Sequence, residues 1–118
     1  MSKIAIVVLT DTEGNEALGK IVNALTAAKE FKDGGDDVQV IFTGTGTKWI
    51  GQLTQPDHKL HGLFTELKDD VTGACSFCAT AFGVADSVQS ARVSMLEDYG
   101  ANMSYRQLIN DGFQVLTF

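Results

Sequence analysis

Basic residues are scarce in this chain of 118 residues: nine Lys and Arg stand against fifteen Asp and Glu, a formal net charge of −6. They are scattered singly, so no electrostatic footprint exists for a phosphate backbone or an anionic membrane, and neither nucleic acid nor a membrane is an expected partner. Long hydrophobic runs are missing as well. The apolar run near the N-terminus, Ile4 to Leu9, is shorter than a signal-peptide core and far below the roughly 20 residues that cross a bilayer, so a cytoplasmic protein is expected. Cysteine is limited to two residues, Cys75 and Cys78, at CxxC spacing. In a reducing compartment that spacing points to a redox-active, nucleophilic or metal-binding pair rather than a permanent staple. No GxSxG elbow or Ser/His/Asp signature supports a hydrolase.

What is present suits one globular domain over residues 1–118, since 44% hydrophobic and 20% charged content provides a core in a chain too short for two. Lys3 to Leu9 is a β-branched apolar run, the pattern of an interior parallel strand covered on both faces. Leu18, Ile21, Val22, Leu25 and Ala28 then recur at helical spacing, and Asp33-Gly34-Gly35-Asp36 ends a helix predicted over about 15 to 32. Val38 to Phe42 is a second strand, followed by a mobile rim loop, Thr43 to Thr47, and a short helix bearing Trp49, Ile50 and Leu53. The single proline, Pro56, breaks that segment and is expected near the first turn of the next helix, whose stripe is Leu60, Leu63, Phe64 and Leu67. Val71 to Cys75 is a third strand, and Phe77, Ala81, Val84, Ala85 and Val88 fall on one face of a helix running through Gly83. Arg92 to Leu96 is a weak strand, Ser104 an N-cap for a helix starting at Tyr105, and Phe113 to Phe118 the closing strand.

Alternating strands and helices predict an α/β fold: a three-layer α/β/α domain with a mostly parallel five-stranded sheet, because parallel neighbours need helical crossovers. Sites in such sheets lie beyond the carboxyl ends of the strands, which singles out Thr10 to Asn15, Thr43 to Thr47 and Cys75 to Cys78. Cys75 falls where a strand meets a helix N-terminus, a setting that favours a thiolate, although free cysteines also serve as small buried hydrophobes. No Lys or Arg occurs between Asp69 and Ala91, while Asp69, Asp70 and Asp86 are near in sequence. Activation must therefore come from elsewhere in the fold or from another subunit. His58 and His61, at HxxH spacing, read as solvent-exposed residues rather than zinc ligands. The acidic Thr10 to Asn15 loop suits helix capping better than phosphate binding, and Thr43 to Thr47 lacks the P-loop lysine spacing. Neither a cofactor nor a resident metal is expected. Trp49 and Tyr105 read as packing or interface residues, and Trp49, Phe64 and Met103 as apolar residues exposed in a monomer.

The opening KIAIVVLT strand with its TDTEGNEA loop, the central ACSFCATAFGV and the closing SYRQLINDGFQVLTF resemble the DsrE/DsrF-like sulfur-relay family, in particular its YchN-like members. In the central motif Cys75 precedes Gly83-Val84 by eight residues. The resemblance implies a flavodoxin-like fold and a homo-oligomer, a trimer or a hexamer of two trimers, with the reactive cysteine near a subunit interface. It further implies that Cys75 accepts persulfide sulfur from a donor protein and passes it to an acceptor protein, in a sulfurtransferase-like or thiol-redox role. Cys78 matches the second cysteine of the CxxC-bearing members. A neighbouring thiol of that kind can attack a persulfide on Cys75 and release its sulfur as sulfide. The alternative is an oligomer that binds a small ligand or partner and whose cysteines do no turnover.

Overall fold

The computed structural model describes residues 1–118. Five strands, β1 (Lys3–Val8), β2 (Asp37–Phe42), β3 (Val71–Cys75), β4 (Met95–Leu96) and β5 (Gln114–Thr117), form one sheet in the order β4-β3-β2-β1-β5, and every pairing is parallel. β1, the continuous apolar run, has a neighbour on each side, as its pattern requires. Successive crossovers carry the chain from β1 to β4 in one direction, and the last one returns it past the whole sheet to the far side of β1.

That reversal divides the helices between the faces. The larger core, with Ile4, Ile6 and Val8 at its centre, is covered by α1 (Gly14–Asp33), α2 (Trp49–Leu53), α3 (His61–Glu66), α4 (Ser76–Ala81) and α5 (Ala85–Ser90). The opposite face bears a smaller cluster, Ala5, Val7, Ile41, Cys75, Met103, Leu108 and Phe113, under the six-residue α6 (Tyr105–Asn110) and the segment before it. The architecture is a three-layer, flavodoxin-like α/β/α fold with one thick helical layer and one thin one. Gly19, inside α1, has nothing within 4 Å of where a Cβ would sit. Gly19→Ala is therefore expected to raise stability by roughly 0.5–1 kcal/mol through helix propensity, read as a higher urea midpoint at unchanged slope.

A β-bulge sets the direction of the key cysteine. Val40 pairs with Val71 but Ile41 pairs with Gly73, so Thr72 is an extra residue in β3. Residues 71 and 75 would share a face in a regular strand, since side chains alternate with period two. Instead Val71 packs on the larger core while Cys75 joins the cluster beneath α6.

Four local expectations are corrected. Thr43 to Thr47 is no mobile loop: Gly44–Lys48 is a 3-10 turn in which Gly46 and Thr47 are buried. Pro56 lies five residues ahead of α3, farther from its first turn than expected, in a stretch of turns where His58 Nδ1 accepts the Leu60 N–H at 3.1 Å. The helix after Cys75 does not run through Gly83. That glycine adopts φ +71 and closes α4 in a Schellman arrangement, with the Gly83 N–H donating to Thr80 O at 3.1 Å and the Val84 N–H to Ala79 O at 2.8 Å. Ala79 and Val88, not Phe77 and Ala81, consequently carry the buried face. Finally, Trp49, Phe64 and Met103 are all buried, at 2%, 2% and 6% exposure; the exposed aromatics are Phe77, Phe82, Tyr99 and Tyr105.

Candidate functional site

Because β1, β2 and β3 are parallel neighbours, the three loops named from the sequence emerge on one edge of the sheet. The first two clamp each other. Asp11 Oδ1 accepts from Lys48 Nζ at 2.8 Å, Trp49 Nε1 donates to Thr10 O at 3.0 Å, and Thr45 Oγ1 donates to Leu9 O at 2.9 Å. The Lys48 ammonium, helped by the Thr12 N–H, holds the Asp11 carboxyl below the usual carboxylate range. The Gly46 N–H and the Thr47 hydroxyl are spent on Thr43 O and Gly44 O, so these loops form a strut rather than an anion cradle.

The third loop carries the thiols. Cys75 occupies the N-cap position of α4 and is 1% exposed, whereas Cys78, in the first turn, is half-buried; both are free thiols. The neutral Cys75 thiol donates to Asn102 Oδ1 at 3.6 Å, and Cys78 Sγ lies 3.6 Å from Thr43 Oγ1. Burial pushes the Cys75 thiol up. Hydrogen-bond donors that favour its anion outweigh that effect: the backbone N–H of Cys78, the backbone N–H of Met103, and the side chains of Cys78 and Thr43. These groups act on the thiolate and form no short cap bond to the neutral thiol. The net result holds Cys75 below the ordinary thiol value of 9.0. No cation takes part.

The acidic neighbourhood read from the sequence is absent from the site. Asp70 stands at the opposite end of β3, about 16 Å away at the rise of a strand, and pairs with Lys32 at 2.8 Å. An acidic residue the local sequence does not offer, Glu97, reaches the junction, where its Oε2 accepts the Ser76 hydroxyl at 2.8 Å. Tyr105 is in the site rather than simply at a surface. Burial raises its phenol pKa and the nearby Cys78 and Cys75 anions raise it further, so the phenol stays protonated close to the thiols. Thr43→Val, which removes the hydroxyl while keeping the shape, is expected to move the Cys75 titration upward, read as a shift to higher pH of the thiolate absorbance near 240 nm.

The histidines do not join the thiols. His61 Nδ1 contacts Leu53 O at 2.9 Å, and the His58 ring stacks edge-on against Trp49 at 6.2 Å between centroids. Both are half-buried fixtures of the crossover rather than the solvent-exposed residues expected. No group of three or more His, Cys, Asp and Glu side chains converges to hold a metal ion. Asn102 has no role in the reading from sequence, and Met103 and Tyr105, read there as surface or packing residues, are not placed by it at the thiols. The signal for them is topological: β4 lies beside β3, so whatever follows β4 overhangs the end of β3, and the Phe77 N–H donates to Ala101 O at 2.8 Å across that gap.

Fold and site together define a parallel α/β thiol protein, with paired cysteines at the carboxyl end of an inner strand. The chain belongs to the DsrE/DsrF-like family, whose model matches residues 2–118. It is similar to the uncharacterized protein MJ0733 of Methanocaldococcus jannaschii, at 24% identity over 115 residues, 97% of this chain and 93% of that one. A solved structure with the same fold is that of BT1422, a conserved protein of unknown function from Bacteroides thetaiotaomicron. It superposes with a TM-score of 0.64 at 18% identity, covering 97% of this chain and 94% of the other.

Proposed function

We propose that the protein is a sulfur-relay carrier that holds persulfide sulfur on Cys75, with Cys78 as the auxiliary thiol, taking sulfur from a donor protein and giving it to an acceptor protein. The observation that carries this reading is the set of neutral donors, chiefly the Cys78 and Met103 amides, that favour the Cys75 anion at a buried strand end. Membership of a family linked to sulfur relay supports it. The thiolate is the species that attacks sulfur, and a persulfide formed there is shielded from bulk water. A reducing cytoplasm, in which the pair stays as thiols, is the setting this function assumes. No helix is long and apolar enough to cross a membrane.

The working form is a homo-oligomer, a trimer or a hexamer. Phe77 and Phe82 support this, standing 57% and 46% exposed on and just beyond α4, beside the thiols. Light scattering is expected to give a mass of at least three chains for the wild type and a clear fall for Phe77→Glu; a monomeric wild type would remove this element. The carrier function itself is tested by mass spectrometry after incubation with a persulfide donor, where one added sulfur on Cys75 is expected in Cys78→Ser, and in the wild type either that adduct or the Cys75–Cys78 disulfide left by its release. Absence of both an adduct and a disulfide would favour the rival reading, an oligomer that binds a ligand or partner without turnover, for which the burial of Cys75 is the favouring observation.

A further inference from the structure

Next to the thiols, along α6, the surface opens into a groove of about 680 Å³. That volume is within the range of small-molecule sites, roughly 300–1,000 Å³. Its apolar walls are Tyr99, Tyr105 and Met103. Two of these also belong to the thiol site, since Met103 supplies a backbone donor to the Cys75 anion and the Tyr105 phenol lies near both sulfurs. The groove also holds one cation, Arg106, and one carboxylate, Asp111. Neither takes part in any of the ion pairs of the chain, which join Glu16, Lys20, Lys29, Asp33, Glu66, Lys32, Asp70, Lys48 and Asp11. Asp111 engages Lys3 only through its backbone oxygen. Two unpaired charges of opposite sign, flanked by phenol rings, match a zwitterion of amino-acid size, and an arginine fork suits a carboxylate.

We propose that this groove binds an amino-acid-type low-molecular-weight persulfide, carboxylate on Arg106 and ammonium toward Asp111, and presents its outer sulfur to Cys75. The inference rests on the carrier function above and puts a small-molecule persulfide in the place of the donor protein named there. In the transfer the Cys75 thiolate attacks the outer sulfur of R–S–SH. A new S–S bond forms on Cys75, the donor S–S bond breaks, its electron pair leaves with R–S⁻, and the hydrosulfide proton stays on the transferred sulfur. No external oxidant or reductant is needed. Tyr105 lines the groove, is 43% exposed and lies near both sulfurs, so the rotation of such a partly exposed side chain on the ps–ns scale gives the donor sulfur a way in.

The test measures initial rates of persulfide formation on Cys75 in the full chain, with cysteine persulfide and with inorganic polysulfide, which has no carboxylate. For Arg106→Gln the ratio of the two rates, at low donor concentration, is expected to fall about tenfold, equivalent to 1.4 kcal/mol, with partial recovery in Arg106→Lys. Asp111→Asn is expected to lower the rate with cysteine persulfide but not with the deaminated 3-mercaptopropionate persulfide. An unchanged ratio in Arg106→Gln, or a wild type loaded by polysulfide and not by cysteine persulfide, overturns the groove assignment and leaves the carrier function standing; the second outcome points to a protein donor. A wild type loaded by neither overturns the groove assignment, and if a persulfide-bearing donor protein also leaves Cys75 unloaded, the carrier function falls as well.

Discussion

Cys75→Ser protein is expected to gain no sulfur from a persulfide donor, whereas Cys78→Ser gains one sulfur and keeps it. The asymmetry follows from position. Cys75 is the N-cap residue whose anion draws on the Cys78 and Met103 amides, while Cys78 is the more open thiol beside Thr43. In the wild type the Cys78 thiolate can attack Sγ of the Cys75 persulfide. The Cys75–Cys78 disulfide then forms, the outer S–S bond breaks, and hydrosulfide leaves with the electron pair; a cellular dithiol reduces the disulfide afterwards. With Cys78 removed, that intramolecular step is lost and sulfide release falls on the order of hundredfold or more. Mass spectrometry reads the adduct and a sulfide electrode reads the release. An adduct that persists on Cys78 in Cys75→Ser would transfer the carrier role to Cys78. The pH dependence has a definite sign: because the Cys75 pKa lies below 9.0, its alkylation rate rises with pH to a plateau through a midpoint below that value.

Gly46→Ala is expected to destabilise the fold more than any change in the exposed faces. A Cβ at position 46 would lie 2.1 Å from Val8 O and 2.7 Å from the Val8 carbonyl carbon, and the obstacle is backbone at the end of β1. Either the 3-10 turn or that strand end must move. Overpacking typically costs 1–3 kcal/mol and here should reach about 3, which lowers the melting temperature by about 10 °C. The damage extends to the site, because Thr43 is joined to this turn through the Gly46 N–H. Displacing Thr43 takes a donor from the thiols, so the variant's Cys75 should also titrate higher. Differential scanning calorimetry and a thiolate titration check the two effects. A melting temperature unchanged from wild type would show that the turn yields freely.

The strands were legible because a parallel strand buried on both faces needs a near-continuous apolar run, which Ile4 to Val8 provides unbroken and Val38 to Phe42 with one interruption at Gln39. The N-cap at Ser104 was legible for a local reason: its hydroxyl accepts the Gln107 N–H three residues on, at 3.1 Å. The helix across Gly83 was misread because periodicity in Phe77, Ala81 and Val84 outweighed one glycine. The left-handed geometry that only the glycine tolerates there decides the matter. The histidines were placed in solvent because no short-range pattern shows that Trp49 and Leu53 fold back against them.

By itself, the sequence determined the alternating α/β class, the family to which the chain belongs, and the location of Cys75 and Cys78 where the third strand meets the next helix, since each is carried by short motifs whose residues lie within a few positions of one another. Only the tertiary structure decided which face Cys75 looks to and what surrounds it. The bulge at Thr72 turns the thiol under α6, and the return crossover brings Asn102, Met103 and Tyr105 over it from about 30 positions away. Strand register and chain reversal are set by packing between distant segments. They determine whether a cysteine at a strand end is an inert core residue or a stabilised thiolate.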